Sequence, residues 1–214
     1  MNVGDVMKYS AIIPCGGVGS RLNLGYNKIL YEIDGEYLIE KTLKNFIIDE
    51  DCVEIIVVSH ESNLETLMGI IKTPKVKFTI GGNNREESVY NGLKIASNEY
   101  VLIHDGARPN ITNDLIQRIK DKLKTTDNVI PVVKCKDASL INNNYHYNEV
   151  LLIQTPQATK VNLLLNAMEN VDLSKYKDDI SIICDYYNVN PSLVEGDYNN
   201  IKVTTIEDLK YINK

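Results

Sequence analysis

The sequence predicts an α/β fold: a mostly parallel sheet with helices on both faces and a protruding β-arm. Three observations predict it. Strand-like and helix-like segments alternate with short connections as far as Val133. Runs such as Ile55-Ile56-Val57-Val58 are apolar without alternation, as expected of strands buried on both faces. The rhythm then breaks at 134–150, a polar stretch rich in Asn and Tyr.

The elements follow in order. Tyr9-Ser10-Ala11-Ile12-Ile13-Pro14 reads as the first buried strand and runs into glycines. Val53 to Val58 is a second strand, after which Leu64, Leu67, Met68 and Ile71 recur at helical spacing. Val76 to Ile80 is a strand ending at Gly81-Gly82, with Val89, Leu93 and Ala96 as the next helical stripe. Tyr100 to Ile103 runs into His104-Asp105-Gly106. Leu115, Ile116, Ile119 and Leu123 mark a helix behind the cap candidates Thr112 and Asn113. Val129 to Val133 is the fifth strand. The excursion at 134–150 reads as hairpin-like, with Asn142-Asn143-Asn144 as its turn. Leu151 to Gln154 returns to strand character, and helices are expected near Val161–Met168 and Asp179–Tyr187. Ser192–Glu195 and Asn200–Val203 read as short strands. Thr204 and Glu207 read as the capping box of the last helix.

Composition bounds the function. A 214-residue chain with 43% hydrophobic and 24% charged residues is a soluble globular protein of one domain. Its net charge of −6 gives no general attraction to nucleic acid or acidic membranes, so an anionic ligand must be held by a local cluster. Cys15, Cys52, Cys135 and Cys184 are too scattered for a zinc site or disulfide framework and fit a reducing cytoplasm. His60, His104 and His146 lack metal-ligand spacing. No apolar run approaches the ~20 residues that span a bilayer.

The chemistry is concentrated in three segments. The first is Gly16-Gly17-Val18-Gly19-Ser20-Arg21, followed by Lys28. Glycines without Cβ atoms let backbone N–H groups crowd an anion, and two cations add charge there. The P-loop pattern is absent. A dinucleotide fingerprint counted from Gly17 fails at Leu22. The segment is therefore a phosphate loop of another kind or an ordinary glycine turn, and Arg21 and Lys28 favour phosphate. The second segment is Gly81 to Ser88, where two glycines would admit a flat base whose edge Ser88 would bond; the alternative is a plain strand-to-helix turn. The third is His104 to Pro109. Asp105 in it is either a helix cap or a ligand for magnesium on a triphosphate, which needs only one or two protein carboxylates. Arg108 and Lys202 are either further phosphate cations or solvated surface. In an open parallel sheet such segments meet at the carboxyl ends of the strands.

Taken with Gln154-Thr155-Pro156-Gln157, Val194-Glu195-Gly196-Asp197 and Asn200-Ile201-Lys202-Val203-Thr204-Thr205, these segments form an ordered set across nearly the whole chain. In that set the sequence resembles the methylerythritol-phosphate cytidylyltransferases and the related ribitol-phosphate cytidylyltransferases. The resemblance implies a Rossmann-like nucleotidyltransferase domain over 1–214 that joins CTP to a polyol phosphate, giving a CDP-alcohol and pyrophosphate. It implies Arg21, Lys28 and Lys202 as catalytic cations. It implies nucleotide contacts from Pro14, Cys15, Gly16, Gly17, Gly19, Ser20, Gly82, Arg85, Ser88, Gly106 and Ala107. Asp105 would carry Mg2+ and touch the ribose, and Arg108, Asp137 and Thr155 would face the acceptor. It further implies a homodimer built through the 134–150 arm.

The sequence departs from the methylerythritol pattern mainly at that arm. The arm is shorter, Asp137-Ala138 stands for an Asp-Thr pair, and Tyr147 falls where an arginine is usual. Lys177-Asp178-Asp179 stands for Thr-Asp-Asp, and the phosphate loop begins Pro14-Cys15-Gly16 instead of with two alanines. These departures predict another polyol phosphate, such as ribitol or glycerol phosphate for surface polymers, as the acceptor. The alternative is 2-C-methyl-D-erythritol 4-phosphate, in isoprenoid synthesis. A non-catalytic nucleotide binder is disfavoured, because Arg21, Lys28 and Lys202 are all present.

Overall fold

The computed structural model describes residues 7–16, 25–147 and 149–212. Strand β1 (Tyr9–Pro14) is followed by a 3-10 turn at Lys28–Leu30, a small hairpin of β2 (Glu32–Ile33) and β3 (Glu36–Tyr37), and α1 (Leu38–Ile48). Next come β4 (Cys52–Ser59), α2 (Glu61–Ile70), β5 (Val76–Ile80), α3 (Arg85–Leu93), β6 (Tyr100–Ile103), α4 (Asn113–Leu123) and β7 (Asn128–Lys134). The arm is β8 (Ser139–Ile141) and β9 (Asn144–His146). The chain then forms β10 (Leu151–Ile153), β11 (Gln157–Lys160), α5 (Val161–Glu169), α6 (Asp179–Tyr187), β12 (Ser192–Glu195) and a 3-10 turn at Ile206–Tyr211.

The main sheet has the order β10-β7-β11-β6-β1-β4-β5, with β12 on the free side of β7. β1 pairs in parallel with β4 and β6, and β4 with β5, so their carboxyl ends share one edge. β12 is parallel to β7, while β11 runs antiparallel between β6 and β7. The expected mostly parallel sheet is therefore present, with one antiparallel insertion. Because strand side chains alternate in direction, Ala11 and Ile13 of β1 face one layer and Ile12 the other. The first layer packs Leu43 and Phe46 of α1 and Leu115 and Ile119 of α4 against Ile55 and Val57. The second packs Val89, Leu93, Leu164 and Ile183 against Ile12, Ile56, Val101 and Ile103. Full burial of each such side chain stabilises the fold by about 1.5–3 kcal/mol.

β10 and β11 are two halves of one strand along β7. Pairing runs from Ile153↔Val132 to Ala158↔Val129, so the path on the first side is two residues longer. The excess is taken up at Gln154-Thr155-Pro156, where the Thr155–Pro156 peptide is cis. The ladder is broken at the place where side chains from this strand reach the site.

The arm is a hairpin, as expected. Asn142 and Asn143 have φ of 50° and 63°, the left-handed pair that a tight two-residue turn demands and that Asn tolerates. Other expectations need correction. In α2 only Leu67 is buried, and Met68 is 51% exposed, because that helix lies over β5 at the sheet edge. Helix α3 ends at Leu93, leaving Ala96 outside. Asn200–Val203 forms no strand among the described residues, and two of its carbonyls accept from side chains instead. Asn200 C=O accepts from Arg108 Nη1 at 2.7 Å and Val203 C=O from Lys28 Nζ at 2.7 Å. The last capping box is Thr205 with Asp208, one residue beyond Thr204 and Glu207, because the Asp208 carboxylate accepts from both Thr204 N–H and Thr205 N–H. Among the described residues no helix is long and apolar enough to cross a membrane.

Candidate active site

The carboxyl ends of β1, β5 and β6 open into a cavity of about 330 Å³. Among the described residues its walls include Pro14, Cys15 and Gly16 after β1, Lys28, and Gly82, Arg85 and Ser88 between β5 and α3. Asp105, Gly106 and Ala107 after β6, and Lys202 from the late segment, complete it. Residues drawn from four separate parts of the sequence therefore meet in one place. Gly17, Gly19, Ser20 and Arg21 lie outside the described residues.

The turn after β6 is the most constrained part of the wall. Asp105 C=O accepts Arg108 N–H at 3.0 Å, and Gly106 C=O accepts Thr42 Oγ1–H at 3.0 Å. Ala107 C=O accepts Val203 N–H at 2.8 Å, and Arg108 C=O meets His104 Nε2 at 3.0 Å. Four successive carbonyls are thus satisfied, two from within the 104–108 segment and two from Thr42 and Val203 of distant segments, so the turn is preorganised. Gly106 is required there: a Cβ would come within 2.7 Å of Cys15 Sγ and 3.3 Å of Pro14 C=O.

Asp105 is a buried carboxylate in a nest of cations. Arg85 Nε lies 3.2 Å from its Oδ1, and Lys202 Nζ and Arg108 Nε lie 2.9 and 3.4 Å from its Oδ2. Burial opposes its ionisation, but Arg85, Lys202 and Arg108 outweigh burial and hold the carboxyl far below the usual carboxylate range. Asp105 is thus an acceptor-only, permanently charged group. It is the one carboxylate among the described lining residues, and no group of three His, Cys, Asp or Glu among the described residues is placed to hold a metal alone. This donor set suits a hard cation that brings its own phosphate and water ligands.

The glycines after β5 serve the tight strand-to-helix turn, the second of the two roles the sequence offers for them. A Cβ on Gly81 would meet Ser88 Oγ at 2.7 Å, and one on Gly82 would overlap Glu87. The missing side chains thus let the first turn of α3 close onto the loop. Ser88 Oγ accepts Gly82 N–H at 3.1 Å and donates to Asn84 C=O at 2.8 Å, which leaves one lone pair for a ligand.

The residues expected at the acceptor are placed less openly. Arg108 is spent on Asp105 and on Asn200 C=O. Thr155 is buried, its Oγ1 accepting Asp105 N–H at 3.1 Å. Asp137 sits exposed at the base of the arm and is not part of the cavity wall. Sequence reasoning missed several residues that hold the site. Asn27 donates to Cys15 C=O at 2.6 Å and accepts Ile29 N–H, bridging the two ends of the 16–28 segment. Its position just before Lys28 was a readable turn signal. Gln154 and Asn200 lock the late segment against β10, with Gln154 Nε2 donating to Asp197 C=O at 2.8 Å and Asn200 Nδ2 to Thr155 C=O at 2.7 Å. No local pattern announces those pairs.

Comparison with known proteins places the chain in a family. The family model described as IspD, 2-C-methyl-D-erythritol 4-phosphate cytidylyltransferase, matches residues 9–213. The chain is 37% identical to the enzyme of that name from Geobacillus kaustophilus, over 96% of this chain and 95% of that one. It is 38% identical to the one from Bacillus cereus strain ATCC 14579, over 94% of each. Among solved structures, 4-diphosphocytidyl-2C-methyl-D-erythritol synthase from Anaerococcus prevotii superimposes with a TM-score of 0.83 at 29% identity over 98% of each chain. The bifunctional IspDF of Campylobacter jejuni does so with a TM-score of 0.85 at 28% identity, over 96% of this chain and 54% of that one. By the family model over residues 9–213 and by these relatives, the chain belongs to the IspD family and is a CTP-dependent cytidylyltransferase.

Proposed function

We propose that this protein transfers CMP from CTP to 2-C-methyl-D-erythritol 4-phosphate, with the whole chain acting as one catalytic unit. The match to the family model over residues 9–213 carries this reading, and it favours methylerythritol phosphate over the ribitol or glycerol phosphate that the arm suggested. A phosphate oxygen of the acceptor attacks the α-phosphorus in line, the bond from that phosphorus to the bridging oxygen breaks, and pyrophosphate leaves. Two anions must meet for this, so the work of the protein is positioning and charge neutralisation. Lys28 and Lys202 both line the cavity, Lys28 bonded to the carbonyl of Val203 next to Lys202, and are suited to bind the triphosphate, with Arg21 as the third cation that the sequence implies. Magnesium held by Asp105 would neutralise charge on the triphosphate. Cytosine would lie toward Gly82 and Ser88. The arm would pair two copies, leaving its exposed face to complete the neighbour's acceptor site.

The test is pyrophosphate release from CTP and magnesium with a panel of polyol phosphates. Turnover with methylerythritol phosphate at least about tenfold above ribitol or glycerol phosphate is expected. Preferential turnover of ribitol phosphate would restore the reading that the arm sets the acceptor.

A further inference from the structure

Asp178-Asp179 opens α6, far in sequence from every segment that the proposed transfer uses. Asp178 has a local role: its Oδ1 accepts Ser181 N–H at 3.0 Å and caps the helix. Asp179 does not face its own helix. Its carboxylate is fully buried and takes both terminal nitrogens of Arg85, Nη1 on Oδ1 at 2.9 Å and Nη2 on Oδ2 at 2.8 Å. This is a fork-to-fork pair, the geometry that fixes a guanidinium plane. The third nitrogen of Arg85, Nε, is then directed at Asp105 Oδ1. The clamp is itself anchored, because Gln157 Oε1 on β11 accepts the N–H groups of Asp179 and Ile180, each at 3.0 Å.

Two consequences follow. With three of its five N–H groups given to two carboxylates, Arg85 is fixed in orientation where it lines the cavity. With Arg85 fixed on Oδ1, the Oδ2 edge of Asp105 is left to Lys202 and Arg108. We propose that Asp179 is a positioning residue for cytidylyl transfer: it clamps Arg85 so that Asp105 is presented in one orientation, with its Oδ2 edge toward Lys202. Asp179 touches no substrate and acts through Arg85. The inference rests on this cavity being the site of CMP transfer, which turnover by the unaltered protein checks in the same assay.

The decisive comparison is between Asp179→Asn and the double variant Asp179→Leu/Arg85→Met, measured for melting temperature, kcat and CTP KM. Asp179→Asn keeps the shape and the backbone bonds to Gln157 but sets an amide N–H against Arg85. It is expected to lower kcat at least about tenfold with CTP KM within about threefold, because the orientation of Asp105 matters more in the transition state than in binding. The double variant removes both buried charges together, a change that commonly spares stability. It is expected to regain melting temperature relative to Asp179→Asn without regaining kcat, since Asp105 has still lost Arg85 and keeps only Lys202 and Arg108. A purely structural clamp predicts that kcat returns with the melting temperature, and that result overturns the proposal, as does unchanged kcat in folded Asp179→Asn. Should neither variant fold, Arg85→Lys decides. It keeps the charge without the fork, so a kcat within twofold of the unaltered protein overturns the proposal and a tenfold loss at unchanged CTP KM supports it.

Discussion

His104 Nδ1 lies 3.0 Å from Thr155 Oγ1, and Thr155 Oγ1 lies 3.1 Å from the Asp105 N–H. The Arg108 carbonyl beside Nε2 can only accept, so Nδ1 of the neutral ring is unprotonated and takes the Thr155 hydroxyl proton. The ring proton is on Nε2, which donates to Arg108 C=O. One neutral tautomer thus ties both ends of the 105–108 turn to Pro156's neighbour on the broken strand.

This arrangement sets a pH dependence. Burial pushes the His104 pKa down to about 4, below the ~6.5 of the unfolded chain. Between those values the unfolded state binds the extra proton, so stability is full above pH 6.5 and is lost as pH falls toward 4. The loss amounts to about 3 kcal/mol, or roughly 6–12 °C in melting temperature for a chain of this size. His104→Gln lacks the titrating group, so its melting temperature should change less over that window. Parallel profiles for the two proteins would show that His104 is not buried as a neutral ring.

Lys28 donates to Val203 C=O at 2.7 Å and lines the cavity, joining the start of the chain to the late segment beside Lys202. Lys28→Ala should lower kcat by about a hundredfold or more while the CTP dissociation constant rises only a few-fold, the pattern of a cation that matters most as charge develops at the α-phosphorus. Isothermal titration with CTP beside steady-state kinetics separates the two effects. An equal loss in affinity with unchanged turnover would reassign Lys28 to ground-state binding.

The sequence revealed what depends on local pattern. Continuous apolar runs marked β1, β4 and β6, the Asn142-Asn143 pair marked the arm's turn, and Thr112 marked the start of α4, where its side chain accepts Leu115 N–H. It did not reveal what depends on distant partners. Asn200–Val203 has the composition of a strand, yet Arg108 and Lys28 take its carbonyls. β11, the mostly polar run Gln157–Lys160, does not read as a strand at all, and its pairing between β6 and β7 is what makes it one. The residues of the site were legible as types because phosphate chemistry needs glycines and cations. Their engagements were not: Arg85 and Arg108 look like ligand cations in the sequence and are bound to Asp179, Asp105 and Asn200 in the fold.

Cys15 and Gly106 interlock across the floor of the cavity, and this gives a paired prediction. Gly106→Ala puts a methyl 2.7 Å from Cys15 Sγ, which is buried and cannot swing away. The variant should lose about 1–3 kcal/mol of stability by overpacking. Adding Cys15→Ala removes the sulfur, leaving only the 3.3 Å approach to Pro14 C=O, and should recover more than half of that loss. Chemical denaturation of the two single variants and the double variant measures the coupling. Strict additivity would mean that the turn relaxes elsewhere.

The arm carries the last prediction. Leu140 and Tyr145 are 61% and 70% exposed, and Ile141 and Tyr147 are exposed beside them, on a two-stranded hairpin outside the main sheet. Such a hairpin is marginal in water by itself and gains stability when its apolar side chains are covered. If a second copy covers it, sedimentation should give twice the mass of the chain, and Leu140→Asp/Tyr145→Asp should shift it to the mass of one. Because no arm residue is among the described residues of the cavity wall, CTP affinity of that variant should stay within about threefold, while turnover with the acceptor should fall by tenfold or more. A monomer that keeps full turnover would detach the arm from catalysis altogether.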